Sequence, residues 1–143
     1  MFSGCTALTT PPALPASEMT TNCYNSMFAG CTSLSSAPSL PATTLANSCY
    51  ANMFANCISI STAPILSSTN IAHQCYSNMF AGCTSLTATP NLPATTLADQ
   101  CYENMFQDCT ALVQAPSILP ATELCNKCYY AMFSGCTSLT DAP

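Results

Sequence analysis

One word is written five times along this chain: CYNSMFAGCTSL from Cys23, CYANMFANCISI from Cys49, CYSNMFAGCTSL from Cys75, CYENMFQDCTAL from Cys101 and CYYAMFSGCTSL from Cys128. The Met-Phe pairs begin at Met1, Met27, Met53, Met79, Met105 and Met132, four steps of 26 residues and a last step of 27 that an inserted residue near Ile118 explains. A fixed period in this range means one small structural unit per repeat, which buries its apolar face only by stacking on its neighbours. Residues 1–143 therefore read as a single repeat domain. Met1 falls in register with the other Met-Phe pairs and Pro143 aligns with Pro116, so both ends fall mid-repeat and the chain reads as a segment of a longer array.

Column by column, the repeat predicts one helix and one strand. Gly4, Gly30, Asn56, Gly82, Asp108 and Gly135 occupy a position suited to left-handed backbone, as a helix requires just past its carboxyl end. Upstream, Ser17, Thr43, Thr69, Thr95 and Thr122 supply a capping oxygen. Between cap and stop, Leu45, Cys49 and Met53 recur at i, i+4 and i+8 with Tyr50 and Phe54 beside them, a one-sided apolar stripe. The other half of the unit, such as Thr32 to Ala37, is short, rich in hydroxyls and closed by the column Pro12, Pro38, Pro64, Pro90, Pro116 and Pro143, where a strand has to stop because proline donates nothing to a ladder. The expected fold class is an α/β solenoid: a right-handed leucine-rich repeat stack with one short parallel strand and one short helix per repeat of about 26 residues, curved with the strands inside.

The words MFAGCTSL and SLPATTLA resemble the BspA-like leucine-rich repeats of bacterial and protist surface proteins, with an aromatic-x-Gly-Cys-x-Ser-Leu core followed by a proline-containing strand end. The resemblance runs over essentially the whole chain. Its unit here is longer than the family's commonest one, and a second cysteine column precedes the tyrosine. What the resemblance implies is an extracellular, surface-displayed adhesion or binding role without catalysis.

Charged residues make up 5% of the chain and hydrophobic ones 49%, so solubility falls to Ser, Thr, Asn and Gln. A net charge of −5 with one Lys leaves no basic patch for nucleic acid or anionic membranes, and no apolar run is long enough to span a bilayer. The twelve cysteines fall into the columns Cys5, Cys31, Cys57, Cys83, Cys109, Cys136 and Cys23, Cys49, Cys75, Cys101, Cys128, with Cys125 apart. Their spacing within a repeat is unlike the close pairs of zinc sites; only Cys125 and Cys128 stand at Cys-x-x-Cys distance, without a redox context. Cysteines on successive repeats are close enough to bridge if the units stack, and buried free thiols are the alternative. His73, Asp99, Glu103 and Lys127 sit in variable polar columns, no nucleophile has a base beside it, and no glycine-rich loop precedes a helix. No metal, cofactor or enzyme activity is expected.

Surface is what remains. The columns containing Thr9, Ser35, Ser61 and Thr87, and Thr10, Ser36, Thr62 and Gln114, present small polar arms as a candidate interaction face for a protein or glycan on host or neighbouring cells, and for O-linked glycans. The ladders Phe28, Phe54, Phe80, Phe106 and Cys31, Cys57, Cys83, Cys109 are read as interior filler. The expected function is a non-catalytic extracellular adhesion module. The alternative is a structural subunit of a self-assembling extracellular filament, joined end to end through uncapped units. Ice binding through aligned threonines is a third reading, weakened by the Ser, Ala, Gln and Val that interrupt the columns.

Overall fold

The computed structural model describes residues 1–141 and overturns the expected fold class. Among these residues there is no α-helix and no extended strand; regular pairing is limited to three isolated parallel bridges, Glu18 with Thr44, Asn70 with Thr96 and Ala88 with Gln114. A leucine-rich repeat solenoid of one helix and one strand per unit is therefore not what this chain forms, and the curvature argument that depended on a strand face and a helix face falls with it. Instead each unit is a coil of consecutive turns laid on the next coil, residue i beside residue i+26. Pro143, the last member of the predicted strand-stop column, lies outside the described residues.

The segment expected to be helical shows why. Its N–H groups alternate between two kinds of partner. Those of Cys49, Ala51, Met53, Ala55 and Cys57 bond back three residues, to Ala46, Ser48, Tyr50, Asn52 and Phe54. Those of Ser48, Tyr50, Asn52, Phe54 and Asn56 leave the coil and bond the carbonyls of His73, Cys75, Ser77, Met79 and Ala81 at 2.7–3.0 Å. Half the donors a helix needs are thus committed to the neighbouring coil. Backbone geometry follows the same rule: every fourth residue is left-handed, at Ser48, Asn52 and Asn56 in this coil and at Gln74, Asn78 and Gly82 in the next. A right-handed turn thus alternates with one whose third residue has positive φ.

The apolar stripe is a consequence of this four-residue unit. An α-helix advances about 100° per residue, so positions four apart slip by about 40° each time and the stripe drifts off the core. In the turn ribbon the unit repeats after four residues without drift, and Cys49, Met53 and Cys57 all point inward with no measurable exposure. The glycine column is not a helix stop but the last of three left-handed positions. From Gly30 onward it also alternates in size: a Cβ on Gly82 would run into the Asn56 side chain, and one on Gly135 into that of Asp108. Ser17, Thr43 and Thr95, expected as helix caps, lie instead at bends beside the bridged positions.

Identical residues stacked coil on coil form the core. Phe2, Phe28, Phe54, Phe80, Phe106 and Phe133 make one column of rings with neighbouring centroids 5.5–5.7 Å apart and planes within 12°. Tyr24, Tyr50, Tyr76, Tyr102 and Tyr129 make a second, at 5.6–6.1 Å. The interior Phe rings are wholly buried, whereas Phe2, Phe133, Tyr24 and Tyr129, which have a ring on one side only, are half-buried. Leu34, Ile60, Leu86 and Leu112 complete the filling.

Asn52 at φ 56° separates the two architectures experimentally. Ala is the best helix former, so Asn52→Ala would stabilise a helix, but in the turn ribbon it places a Cβ-bearing residue without Asn's tolerance at positive φ. Asn52→Ala is expected to cost about 1 kcal/mol in urea unfolding and Asn52→Gly to cost less.

Candidate functional site

Most of the cysteines lie inside the stack. Five of the six thiols of one cysteine column donate to the carbonyl of the Phe one coil below: Cys31 to Phe2, Cys57 to Phe28, Cys83 to Phe54, Cys109 to Phe80 and Cys136 to Phe106, at 3.0–3.1 Å. The same Phe28 carbonyl accepts the Cys31 N–H at 3.0 Å, so both of its lone pairs are used, one within the coil and one between coils. A bridged cysteine has no hydrogen to donate. All twelve cysteines are free thiols in this structure, which selects the second of the two alternatives the sequence left open.

Burial also lowers the reactivity of the interior thiols. It pushes Cys49 and Cys101 up to about 11 and Cys57 and Cys109 up to about 12, and it raises Cys75 and Cys83 well above the ordinary thiol value. Neighbouring thiols in a column add to the effect, because each would-be thiolate faces another, as Cys31 faces Cys57. Tyr50, Tyr76 and Tyr102 are raised for the same reason, burial first and adjacent cysteines and tyrosines second. The Tyr50 hydroxyl is buried without a hydrogen-bond partner, which burial of the ring beside its neighbours outweighs.

Cys125 and Cys128 are joined through the backbone, the Cys128 N–H donating to the Cys125 carbonyl at 3.3 Å. Cys128 is buried, while Cys125 is half-buried and donates to the Leu97 carbonyl at 3.4 Å. Among the described residues no group of three or more His, Cys, Asp and Glu side chains is placed to hold a metal ion. Asp99 accepts the Asn126 N–H at 2.9 Å, Glu103 accepts from Gln100 at 2.7 Å, and the Lys127 ammonium lies 5.4 Å from the centre of the Tyr130 ring.

The residues singled out as an interaction face are all on the outside: Thr9, Thr10, Ser35, Ser36, Ser61, Thr62, Thr87 and Gln114 are exposed. No strand carries them as a continuous sheet. Pairing is confined to the last two of these rungs, where Val113 donates to the Thr87 carbonyl at 3.0 Å and Thr89 to that of Gln114 at 3.3 Å. The ladder residues Phe28, Phe54, Phe80, Phe106, Cys31, Cys57, Cys83 and Cys109 are each fully buried.

Sequence reasoning missed the proline edge. Clefts of about 340, 420 and 300 Å³ open between successive coils there, the first lined by Pro11, Pro12, Pro15, Pro38 and Pro41. Ile65 and Ile118, 81% and 66% exposed, stand on the rims of the other two. The signal is a second proline column, Pro15, Pro41, Pro93 and Pro120, which runs three to four residues after the strand-stop column.

The thiol columns generate a pH prediction with a definite sign. Unfolded thiols ionise near 9.0, whereas the buried ones hold their protons to about 11 or 12. Their contribution is complete below pH 9 and is lost as pH rises towards those values, because only the unfolded chain releases protons there. Urea midpoints should agree at pH 7 and 8 and fall clearly by pH 10.5; an unchanged midpoint would refute the burial of the thiols. In native protein at pH 8, alkylation should reach exposed Cys5 and Cys23 well before the ladder cysteines.

No family model, no curated protein and no solved structure matches this chain.

Proposed function

We propose that the chain is a non-catalytic interaction module, displayed at a cell surface, that holds a protein or glycan partner along its exposed polar columns. The observation that carries this reading is a partition. The ladder thiols Cys49, Cys57, Cys101 and Cys109 are buried and hold their protons, while Thr9, Ser35, Ser61, Thr87 and their neighbours Thr10, Ser36, Thr62 and Gln114 are exposed. Short hydroxyl arms that repeat with the coil suit many weak contacts to an extended partner better than a single pocket. The surface location and binding role come from the likeness of MFAGCTSL and SLPATTLA to BspA-like surface proteins. No helix among the described residues is long and apolar enough to cross a membrane.

The test is a screen against glycans and extracellular-matrix proteins, followed by Ser35→Arg, Ser61→Arg and Thr87→Arg together. Because these positions are exposed, the triple variant should keep the parent's melting temperature and lose at least about tenfold in affinity for whatever the parent binds. Binding that is indifferent to the three arginines would move the site elsewhere on the molecule.

A further inference from the structure

The proline edge runs along the side of the stack, and two isoleucines stand on it. Ile65 is 81% exposed although a full coil packs on either side of it, and its counterparts in those coils, Ser39 and Asn91, are exposed too. The column therefore points sideways, and Ile118, 66% exposed, stands in its place two coils on. Each isoleucine rims the cleft that separates its own coil from the preceding one. Ile65 stands over the cleft of about 420 Å³ walled by Pro38, Pro41 and Pro64, and Ile118 over the cleft of about 300 Å³ walled by Pro93, Pro116 and Pro120. Buried Leu40 and Leu92 lie at the bottom. An apolar knob is thus set beside an apolar hole, twice on the same edge.

The chemistry of the edge restricts what can cover it. Proline offers no N–H, so a docking chain gains no ladder at these positions and packs through side chains. Residues 37–41, 63–67, 89–93 and 115–120 contain no charged side chain and no histidine, although the chain carries six acidic residues and a net charge of −5. Two copies repel one another least where neither brings charge, and this edge is such a place. A partner that fills it must also supply two apolar knobs, two coils apart, with a hole beside each. The same edge turned through half a revolution supplies them.

We propose that two copies pair side by side and antiparallel through their proline edges. Ile65 of one copy enters the cleft beneath Ile118 of the other, and the twofold axis then carries Ile118 of the first into the cleft beneath Ile65 of the second. One axis serves both seatings because each isoleucine lies on the same side of its own cleft. That axis falls between the coils of Ile65 and Asn91, which brings Asn91 close to its own copy. Such an isologous contact closes at two copies. It rests on neither the polar columns of the proposed binding face nor the ends of the chain.

A contact anchored by two isoleucines per copy is of the small, transient kind, so the test spans low micromolar to millimolar protein. Sedimentation velocity of the 143-residue chain over that range should show a monomer–dimer equilibrium that stops at two copies. Ile65→Glu with Ile118→Glu should raise the dissociation constant at least about tenfold, and so should Ile65→Lys with Ile118→Lys, both at an unchanged melting temperature because the two side chains are exposed. Mixing the two charged variants should restore a dimer containing one copy of each, since every position 65 then faces an opposite charge at position 118. Asn91→Asp should weaken the parent dimer while leaving both knobs in place, as its carboxylate meets its own copy near the axis. A parent that stays monomeric at every concentration, charged variants that pair as readily as the parent, or assembly past two copies that the same charges abolish would each overturn the proposal. In the first case, binding of a glycan or a proline-rich peptide that Ile65→Glu abolishes would assign the edge a different occupant.

Discussion

The whole structure depends on the orientation of every second peptide group. In the ribbon, the peptide joining Cys49 to Tyr50 accepts from the Tyr24 N–H through its carbonyl and donates to the Cys75 carbonyl through its N–H. The next such peptide, between Cys75 and Tyr76, repeats the pattern towards Cys101, and the one after it towards Cys128. Unbroken files of hydrogen-bonded amides thus run along the stack, all pointing the same way, and each polarises the next as in a helix. The intervening peptides close three-residue turns that keep the chain compact within its coil. Neither set is sufficient alone: turns without files would be a floppy ribbon, and files without turns would be a sheet.

Files of this kind require each coil to match the next, and that explains the composition. A ring needs another ring above it, so Phe sits over Phe and Tyr over Tyr at 5.5–6.1 Å. Charge obeys the opposite rule, because a charged residue repeated in its column would face its own copy across one coil spacing, where like charges are destabilising. Each charge here stands accordingly between neutral or unlike neighbours: Asp99 between His73 and Asn126, Glu103 between Ser77 and Tyr130, Lys127 beside Gln100. A chain with only 5% charged residues is what a stack of near-identical coils tolerates. The thiols fit the same logic. Cysteine is small, apolar enough to bury and still able to give one hydrogen to a carbonyl of the coil below, as Cys57 does to Phe28.

Much of this was legible in the residues and part of it was not. The 26-residue step and the ring and thiol columns could be read directly, because stacking demands identity and identity is visible in a single sequence. The local backbone was misread because Leu45, Cys49 and Met53 fit a helix over two turns, and the difference between a period of 3.6 and a period of four shows only over a longer stretch. The contrary signal was present. Asn, Ser, Gln and Gly recur at three positions four apart, Ser48, Asn52, Asn56 and then Gln74, Asn78, Gly82, whereas a helix has use for such a residue once, at its end. Local propensity also says nothing about the decisive competitor, a carbonyl 25 residues away that takes the N–H of Tyr50 out of any helix. Ser35, Ser36, Ser61 and Thr62 are exposed, but the strand expected to carry them along an inner face is not there.

These constraints also decide where variation is permitted, and hence where recognition has room to reside. A substitution at Phe54 disturbs two ring contacts, with Phe28 and Phe80, and leaves a void in a fully buried column. A substitution at Phe2 disturbs one, at a half-buried edge. Stability in such a stack is close to a sum of coil-to-coil terms, so interior ladders are held fixed by both neighbours. Side chains at Ser35, Ser61 or Thr87 enter none of those terms, since they neither stack in the core nor donate to the files. In the proposed module these are the positions where contacts would change coil by coil without disturbing the scaffold. What the stack fixes is thus its interior, where each ring and thiol answers to two neighbours, while the exposed columns vary from coil to coil at no cost to the core.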